Sequence, residues 1–191
     1  MFNKAIGYYL FFVFPLIAIL TIFSNPIIKV LSTSAYLSGW QVVFWLALGI
    51  SIFGLYQLNI FPMLLENKTF LIFIISIAAL MMNIVLNAIM IPRIGILGAA
   101  IATFISNATL AFLTIMNNAR HVPSYTFPWK TVFKVMSATS IMCLVLFTVR
   151  YYADINNFWR LLSAIILGIG IYGAIDLLSK NSFLRQLRAN L

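Results

Sequence analysis

Residues Asn83 to Ser106, NIVLNAIMIPRIGILGAAIATFIS, place two long apolar segments on either side of a short Ile-Pro-Arg-Ile-Gly turn. The second segment opens with closely spaced glycines and alanines, which let another helix approach its backbone. Few soluble folds expose so much contiguous apolar surface. The stretch therefore predicts a helical hairpin inside a lipid bilayer.

The composition of the whole chain supports a membrane location. Of its 191 residues, 63% are hydrophobic and 8% are charged, whereas a soluble domain carries about 25% charged residues. The net charge of +9 comes from Lys and Arg residues scattered singly around apolar segments, which is typical of loops that orient a membrane protein rather than of a nucleic-acid site. The one cysteine, Cys143, has no partner for an intrachain disulfide.

Six segments are long and apolar enough to cross the roughly 30 Å of hydrocarbon in a bilayer. They predict an all-α, polytopic helix bundle that forms a single membrane domain over residues 1–191. The predicted spans are 5–24, 40–63, 69–91, 94–116, 131–152 and 158–178. Between the first two spans, Asn25 to Gly39 is predicted to lie as a short amphipathic stretch in the interface.

The distribution of Lys and Arg predicts the orientation. With six spans, eight of these residues fall on the side that holds both termini and four on the opposite side. Because the cytoplasmic loops carry the excess of positive charge, both termini are predicted to be cytoplasmic, in a bacterial inner membrane.

Chemistry-bearing residues are sparse. One histidine and three dispersed carboxylates, Glu66, Asp154 and Asp176, give no catalytic constellation, no metal site and no cofactor cradle. The sequence therefore predicts that the chain is not an enzyme. Asp176 lies within a span, and Lys180 follows four residues later, in the spacing that favours an ion pair.

Polar residues inside spans are costly and face a bundle interior or a cavity. Asn83 and Asn87 share one face of the third span, and Gln57 and Asn59 lie two apart in the second, on different faces. These four are candidate substrate-pathway residues, and hydrogen bonding between helices is the alternative. Asn107 in the fourth span is predicted to bond across the hairpin.

Two rows of small residues with a spacing of four begin at the hairpin turn. Each row would let a neighbouring helix approach closely, so both are predicted packing faces. The rows are Gly95, Ala99 and Thr103, and Gly98, Ala102 and Ser106.

The hairpin also carries a family motif, Asn-x3-Asn-x4-Pro-x2-Gly-x2-Gly-Ala-Ala-x-Ala-Thr. Its fixed positions are Asn83, Asn87, Pro92, Gly95, Gly98, Ala99, Ala100, Ala102 and Thr103. The string resembles the C-terminal portion of polysaccharide flippases, the O-antigen and capsule exporters of the multidrug/oligosaccharidyl-lipid/polysaccharide superfamily. The resemblance covers roughly Pro15 to Arg120, and the last two spans match by topology alone.

The resemblance implies a transporter that turns an undecaprenyl-pyrophosphate-linked sugar unit from the inner to the outer leaflet. Family members have two helical lobes around a cationic cavity and are more than twice this length. The six spans would be the last six of fourteen, so the chain would be truncated and inactive without its N-terminal lobe. The alternative is a non-transporting anchor or scaffold for polysaccharide assembly proteins. A membrane-embedded glycosyl-lipid enzyme would need acidic or histidine-rich loops, which the chain lacks.

Overall fold

A computed structural model describes residues 2–31, 39–121, 127–152 and 158–178, and these residues form helices without any strand. The predicted all-α class is therefore confirmed. The helices, in chain order, are α1 (Phe2–Ile22), α2 (Ser24–Leu31), α3 (Trp40–Leu65), α4 (Thr69–Ile94), α5 (Ile96–His121), α6 (Trp129–Tyr152) and α7 (Phe158–Leu178).

Every long helix in the described residues is apolar enough to cross a membrane, which gives six spans as predicted: α1 and α3 to α7. Several helices continue past the predicted span ends, and α5 reaches His121. The short helix α2 begins the segment that was predicted to be amphipathic. Residues 32–38 of that segment, and Lys180 with the tail that follows it, lie outside the described residues.

The turn between α3 and α4 caps the C-terminal end of α3 and has Asn67 at its centre. The Lys68 amide donates to the Met63 carbonyl at 2.9 Å, and the Asn67 amide donates to Leu64 at 3.1 Å. Asn67 itself has φ of 56°, which asparagine tolerates better than most residues. Lys68 and Glu66 form an ion pair of 2.5 Å across this turn. Three residues are therefore enough to reverse the chain.

The turn between α4 and α5 is shorter than the sequence indicated. Pro92 and Arg93 belong to the last turn of α4, which ends at Ile94, and α5 begins at Ile96. Gly95 alone makes the turn, with φ 61° and ψ −140°. This conformation is open to glycine and strained for other residues. The predicted Ile-Pro-Arg-Ile-Gly turn was therefore wrong in its extent, because a single positive-φ residue suffices.

The helices form two compact units. The first, called here the hairpin unit, comprises Met1–Ile6 and Gln41–Pro128 and contains α3, α4 and α5. The second, called the terminal unit, comprises Gly7–Trp40 and Trp129–Leu191 and contains most of α1 together with α2, α6 and α7. A single membrane domain over residues 1–191 stays a prediction.

Each unit has its own apolar core. The hairpin unit buries side chains from all three of its helices: Tyr56, Met63, Ile75, Ala79, Leu110 and Ala111. The terminal unit buries Phe23, which lies between α1 and α2, and side chains from α1, α6 and α7, of which the largest are Phe11, Met142, Leu146 and Tyr172. Outside these cores many large apolar side chains are exposed, Phe70 on α4 and Leu144 on α6 among them, as lipid-facing helix surfaces require.

Candidate functional site

The predicted small-residue rows of α5 lie in different environments. Gly98, Ala102 and Ser106 are buried, whereas Gly95 is exposed and Ala99 and Thr103 are half-buried. A Cβ atom on Gly98 would lie 2.6 Å from both the carbonyl carbon and the oxygen of Met90. The backbones of α4 and α5 therefore touch at this point, and only glycine leaves room for the contact.

The helix α3 approaches α5 almost as closely. A Cβ atom on Gly49 would lie 3.3 Å from the Cα of Phe104, and Trp45 packs edge-on against the Phe104 ring at 5.1 Å. One turn along α5, Asn107 donates its side-chain amide to the Gly49 carbonyl at 3.0 Å. The prediction that Asn107 bonds across the hairpin was therefore wrong: its partner lies in α3, because α3 supplies the close backbone.

Asn59 is held inside the hairpin unit. Its side chain is fully buried and donates to the Leu55 carbonyl of the preceding turn at 2.7 Å. The Asn59 carbonyl accepts from the side-chain amide of Asn118 in α5 at 2.6 Å. Asn118 is also fully buried. The second contact joins the end of α3 to the end of α5 through the backbone of Asn59, so this position has a role in helix packing.

The other three candidate pathway residues are more accessible. Asn87 donates to the side-chain oxygen of Asn83 at 2.8 Å, within α4, and both are half-buried. Gln57 is exposed on α3, on a different face from Asn59, as a separation of two residues requires.

The four candidate residues do not form one site. The Tyr56 hydroxyl lies 3.4 Å from the Ser76 hydroxyl, which fixes the level at which the antiparallel helices α3 and α4 meet. Asn59 lies three residues from this level, toward the α3–α4 turn, and Asn83 lies seven residues from it in the opposite direction. At 1.5 Å per residue, they are about 15 Å apart along the helix axes. The polar candidate residues of the hairpin unit therefore lie at two separate heights along the helix axes.

The terminal unit contains the interhelical ion pair that the sequence did not indicate. The Lys134 ammonium on α6 lies 2.8 Å from a carboxylate oxygen of Asp176 on α7. The Asp176 side chain is 3% exposed and that of Lys134 is 27% exposed. The expected partner, Lys180, lies outside the described residues. The partner from α6 was missed because it lies 42 residues away in sequence.

A second cation of α6 acts on α1. The guanidinium of Arg150 donates to the carbonyl of Ile22, the last residue of α1. A helix end presents carbonyl groups that lack intrahelical partners and carries partial negative charge, so an arginine stabilises it. The sequence placed Arg150 near a span end but gave no signal for this contact.

Comparisons with known proteins agree with the fold and with the motif of the hairpin. No protein-family model matches the chain. Its sequence is 31% identical over 122 residues to the probable flippase AglR of Haloferax volcanii, which covers 64% of this chain and 25% of that protein. Its structure matches the lipid II flippase MurJ in an inward closed conformation, with a TM-score of 0.79 and 24% identity, over 97% of this chain and 39% of that one.

The resemblance to a flippase is confirmed. The chain is a multi-pass membrane protein with a MurJ-like helical fold, and it is similar in sequence to a probable flippase. It spans about a quarter of the length of AglR and about two fifths of MurJ.

Proposed function

We propose that the chain is the C-terminal part of a transporter that moves a lipid-linked oligosaccharide across the bacterial inner membrane. The fold likeness to MurJ over 97% of the chain carries this proposal, and the similarity to AglR supports it. From the resemblance of the α4–α5 hairpin to polysaccharide flippases, we propose an undecaprenyl-pyrophosphate-linked sugar for O-antigen, capsule or exopolysaccharide synthesis as the substrate.

The transporter requires a second lobe. Alternating access needs two helical bodies around a substrate site, and the chain spans 39% of the MurJ structure. The remaining helices come either from the rest of a longer chain or from a separate protein. The chain is a non-catalytic part of this assembly, with the bilayer and the lipid-linked oligosaccharide as its other partners.

Within the chain, Gln57, Asn83 and Asn87 are the proposed contacts to the sugar. Gln57 is exposed and the asparagine pair is half-buried. The side-chain oxygen of Asn87 is itself buried, so Gln57 is the most accessible of the three to hydroxyl groups of a passing substrate. Asn59 was grouped with them, but its side chain is buried and bonded within α3. Its backbone carbonyl accepts from Asn118 and so holds α3 against α5.

The decisive experiment is a flipping assay in liposomes. The chain is reconstituted alone and together with the lobe that completes it, with a polyprenyl-pyrophosphate oligosaccharide that carries a fluorophore on the sugar. Dithionite, which cannot cross the bilayer, bleaches only the outer leaflet. The two-lobe protein is expected to expose the inner pool to bleaching, and the chain alone is not.

Variants of the proposed contact residues test, in the same assay, whether the substrate passes along them. Gln57→Leu and Asn87→Leu are expected to lower the flipping rate about tenfold at unchanged protein yield. The matched control is Gly170→Ala on α7, where the added methyl group meets no atom within 4 Å. If the two-lobe protein flips nothing but co-purifies with polysaccharide assembly proteins, the chain is a scaffold and the transport proposal is wrong.

The excess of positive charge supports cytoplasmic location of both termini. A fluorescent protein fused to the C-terminus is then expected to fluoresce, and alkaline phosphatase at the same site is expected to be inactive. The opposite pair of results would invert the proposed orientation.

A further inference from the structure

The turn between α4 and α5 is exposed, and it is apolar except for one cation. Ile91, Ile94 and Ile96 are 46%, 45% and 77% exposed, and Pro92 and Arg93 are exposed as well. The chain reverses here within a single residue, so no polar loop separates these side chains from the membrane. The turn therefore combines apolar side chains, which suit the acyl boundary of a bilayer, with a cation, which suits its phosphates.

The charge of Arg93 is not neutralised in the way that the charge of the α3–α4 turn is. At that turn Lys68 forms an ion pair with Glu66. The other carboxylate in the described part of the chain, Asp176, pairs with Lys134 in the terminal unit. Both described carboxylates thus serve lysines. A guanidinium binds a phosphate through two parallel hydrogen bonds, so a lipid phosphate is a suitable counter-charge for Arg93.

The lengths of α4 and α5 place Arg93 at the depth of the lipid headgroups. No charged residue occurs between Lys68 and Arg93, or between Arg93 and Arg120. At 1.5 Å per residue, these separations are about 38 Å and about 40 Å along the helix axes, and a tilt of about 20° shortens them only to about 35–38 Å. The hydrocarbon is about 30 Å thick, and the bilayer with its headgroups about 40–45 Å. With Lys68 and Arg120 in one headgroup layer, Arg93 therefore lies in the other.

We propose that the α4–α5 turn is a lipid-binding tip, in which the Arg93 guanidinium binds the phosphate of an anionic phospholipid. Ile91, Ile94 and Ile96 rest among the upper parts of the acyl chains. A protein covering the turn would have to supply a counter-charge to Arg93, whereas the bilayer presents phosphates at this depth. The proposal does not depend on the transport function, and it holds for either orientation of the chain.

Fluorescence quenching tests the tip with the full chain reconstituted in liposomes. After Cys143→Ala removes the one native cysteine, Ile96→Cys is labelled with bimane. The liposomes contain phosphatidylcholine mixed with an equal fraction of either brominated phosphatidylglycerol or brominated phosphatidylcholine, whose bromine atoms quench a nearby label. The ratio of the two quenching efficiencies measures the preference of the tip for the anionic lipid.

With Arg93 present, phosphatidylglycerol is expected to be preferred about fivefold at position 96, as one basic residue near the membrane surface provides. Arg93→Gln should reduce the ratio to about one, and Arg93→Lys should retain part of the preference because it keeps the charge but not the paired hydrogen bonds. A preference that is absent with Arg93, or unchanged in Arg93→Gln, overturns the proposal.

Two controls locate the effect. Lys68→Gln removes the same charge from the same unit, but at a place where Glu66 already neutralises it, so it should leave the preference at position 96 unchanged. A label on Leu80→Cys, which is 54% exposed near the middle of α4, should show no preference. An equal loss of preference in Lys68→Gln and Arg93→Gln would show an effect of net charge alone and contradict a site at Arg93.

Quenching by iodide distinguishes the other surroundings of the tip. A label at position 96 that aqueous iodide quenches as strongly as it quenches free bimane would place the turn in water. A label that neither iodide nor brominated lipid quenches would show that a second copy of the chain covers the turn. Either result overturns the proposal.

Discussion

In the hairpin unit, the helix backbones contact each other directly at two glycines. Gly98 lies against the backbone of Met90, and Gly49 lies against the backbone of Phe104. In the terminal unit the corresponding glycine, Gly168, leaves space that the end of the Leu146 side chain fills, with 3.0 Å between a Cβ atom and the two terminal methyl carbons. In the hairpin unit, glycines therefore allow helix backbones to touch directly. In the terminal unit, a side chain of one helix packs into the space beside a glycine of the other.

The difference sets how each unit responds to added volume. A helix backbone shifts only as a rigid body, whereas the end of a leucine side chain moves by changing its rotamer.

A methyl group added at Gly98 is expected to have the largest effect. Gly98→Ala should lower the free energy of unfolding by about 3 kcal/mol, because the Met90 backbone cannot yield. Gly168→Ala should cost about 1 kcal/mol, because Leu146 can repack. Gly170→Ala, in open space, should be neutral or stabilising by about 0.5 kcal/mol. Thermal unfolding in detergent measures all three, and equal losses at Gly98 and Gly168 would contradict the division.

The ion pair of the terminal unit should respond asymmetrically. Lys134→Met removes the ammonium that pairs with the buried Asp176 carboxylate and should cost about 2 kcal/mol. Asp176→Asn should cost about 1 kcal/mol, because the partly exposed Lys134 can turn toward the interface. The double variant should recover part of the loss, and strictly additive losses would show that the two groups do not interact.

Gly95 tests backbone conformation separately from space. A Cβ atom there meets nothing within 4 Å, but φ is +61°. Gly95→Ala should therefore cost about 1–2 kcal/mol through backbone strain, with no clash to relieve. The comparison with Gly170→Ala, which is equally open, isolates this strain, and matching midpoints for the two variants would exclude it.

The smallest expected effect is at Asn107. Asn107→Leu removes one bond to the Gly49 carbonyl and should cost about 1 kcal/mol or less, the usual value for interhelical hydrogen bonds in membranes. A double variant with Gly49→Ala should show coupling, since both residues serve the same crossing. The thermal midpoints of the single and double variants give this coupling.

Sequence predicted the elements of this fold better than their partners. Apolar length located all six spans, because crossing hydrocarbon imposes a length and a composition. The sequence did not show which of the two small-residue rows of α5, that of Gly98 or that of Gly95, would be buried. Both rows have a spacing of four, and the difference in burial arises from tertiary packing. The partners of Asn107 and Asp176 were missed for the same reason, since each lies on a helix that adjacency in sequence does not indicate.

Among the site residues, Gln57 and Asn59 were correctly placed on different faces of α3, because helical periodicity fixes which residues share a face.

The contact from Arg150 to Ile22 joins residues 128 positions apart, and it bears on the order in which the chain assembles during synthesis. The α4–α5 hairpin closes across one residue, so it can form as soon as both segments have been made. The helix α1, by contrast, waits in the membrane until α6 and α7 have been made, because its core partners lie on those two helices. During that interval α1 is the helix of the terminal unit most accessible to chaperones and proteases, although it is synthesised before its partners.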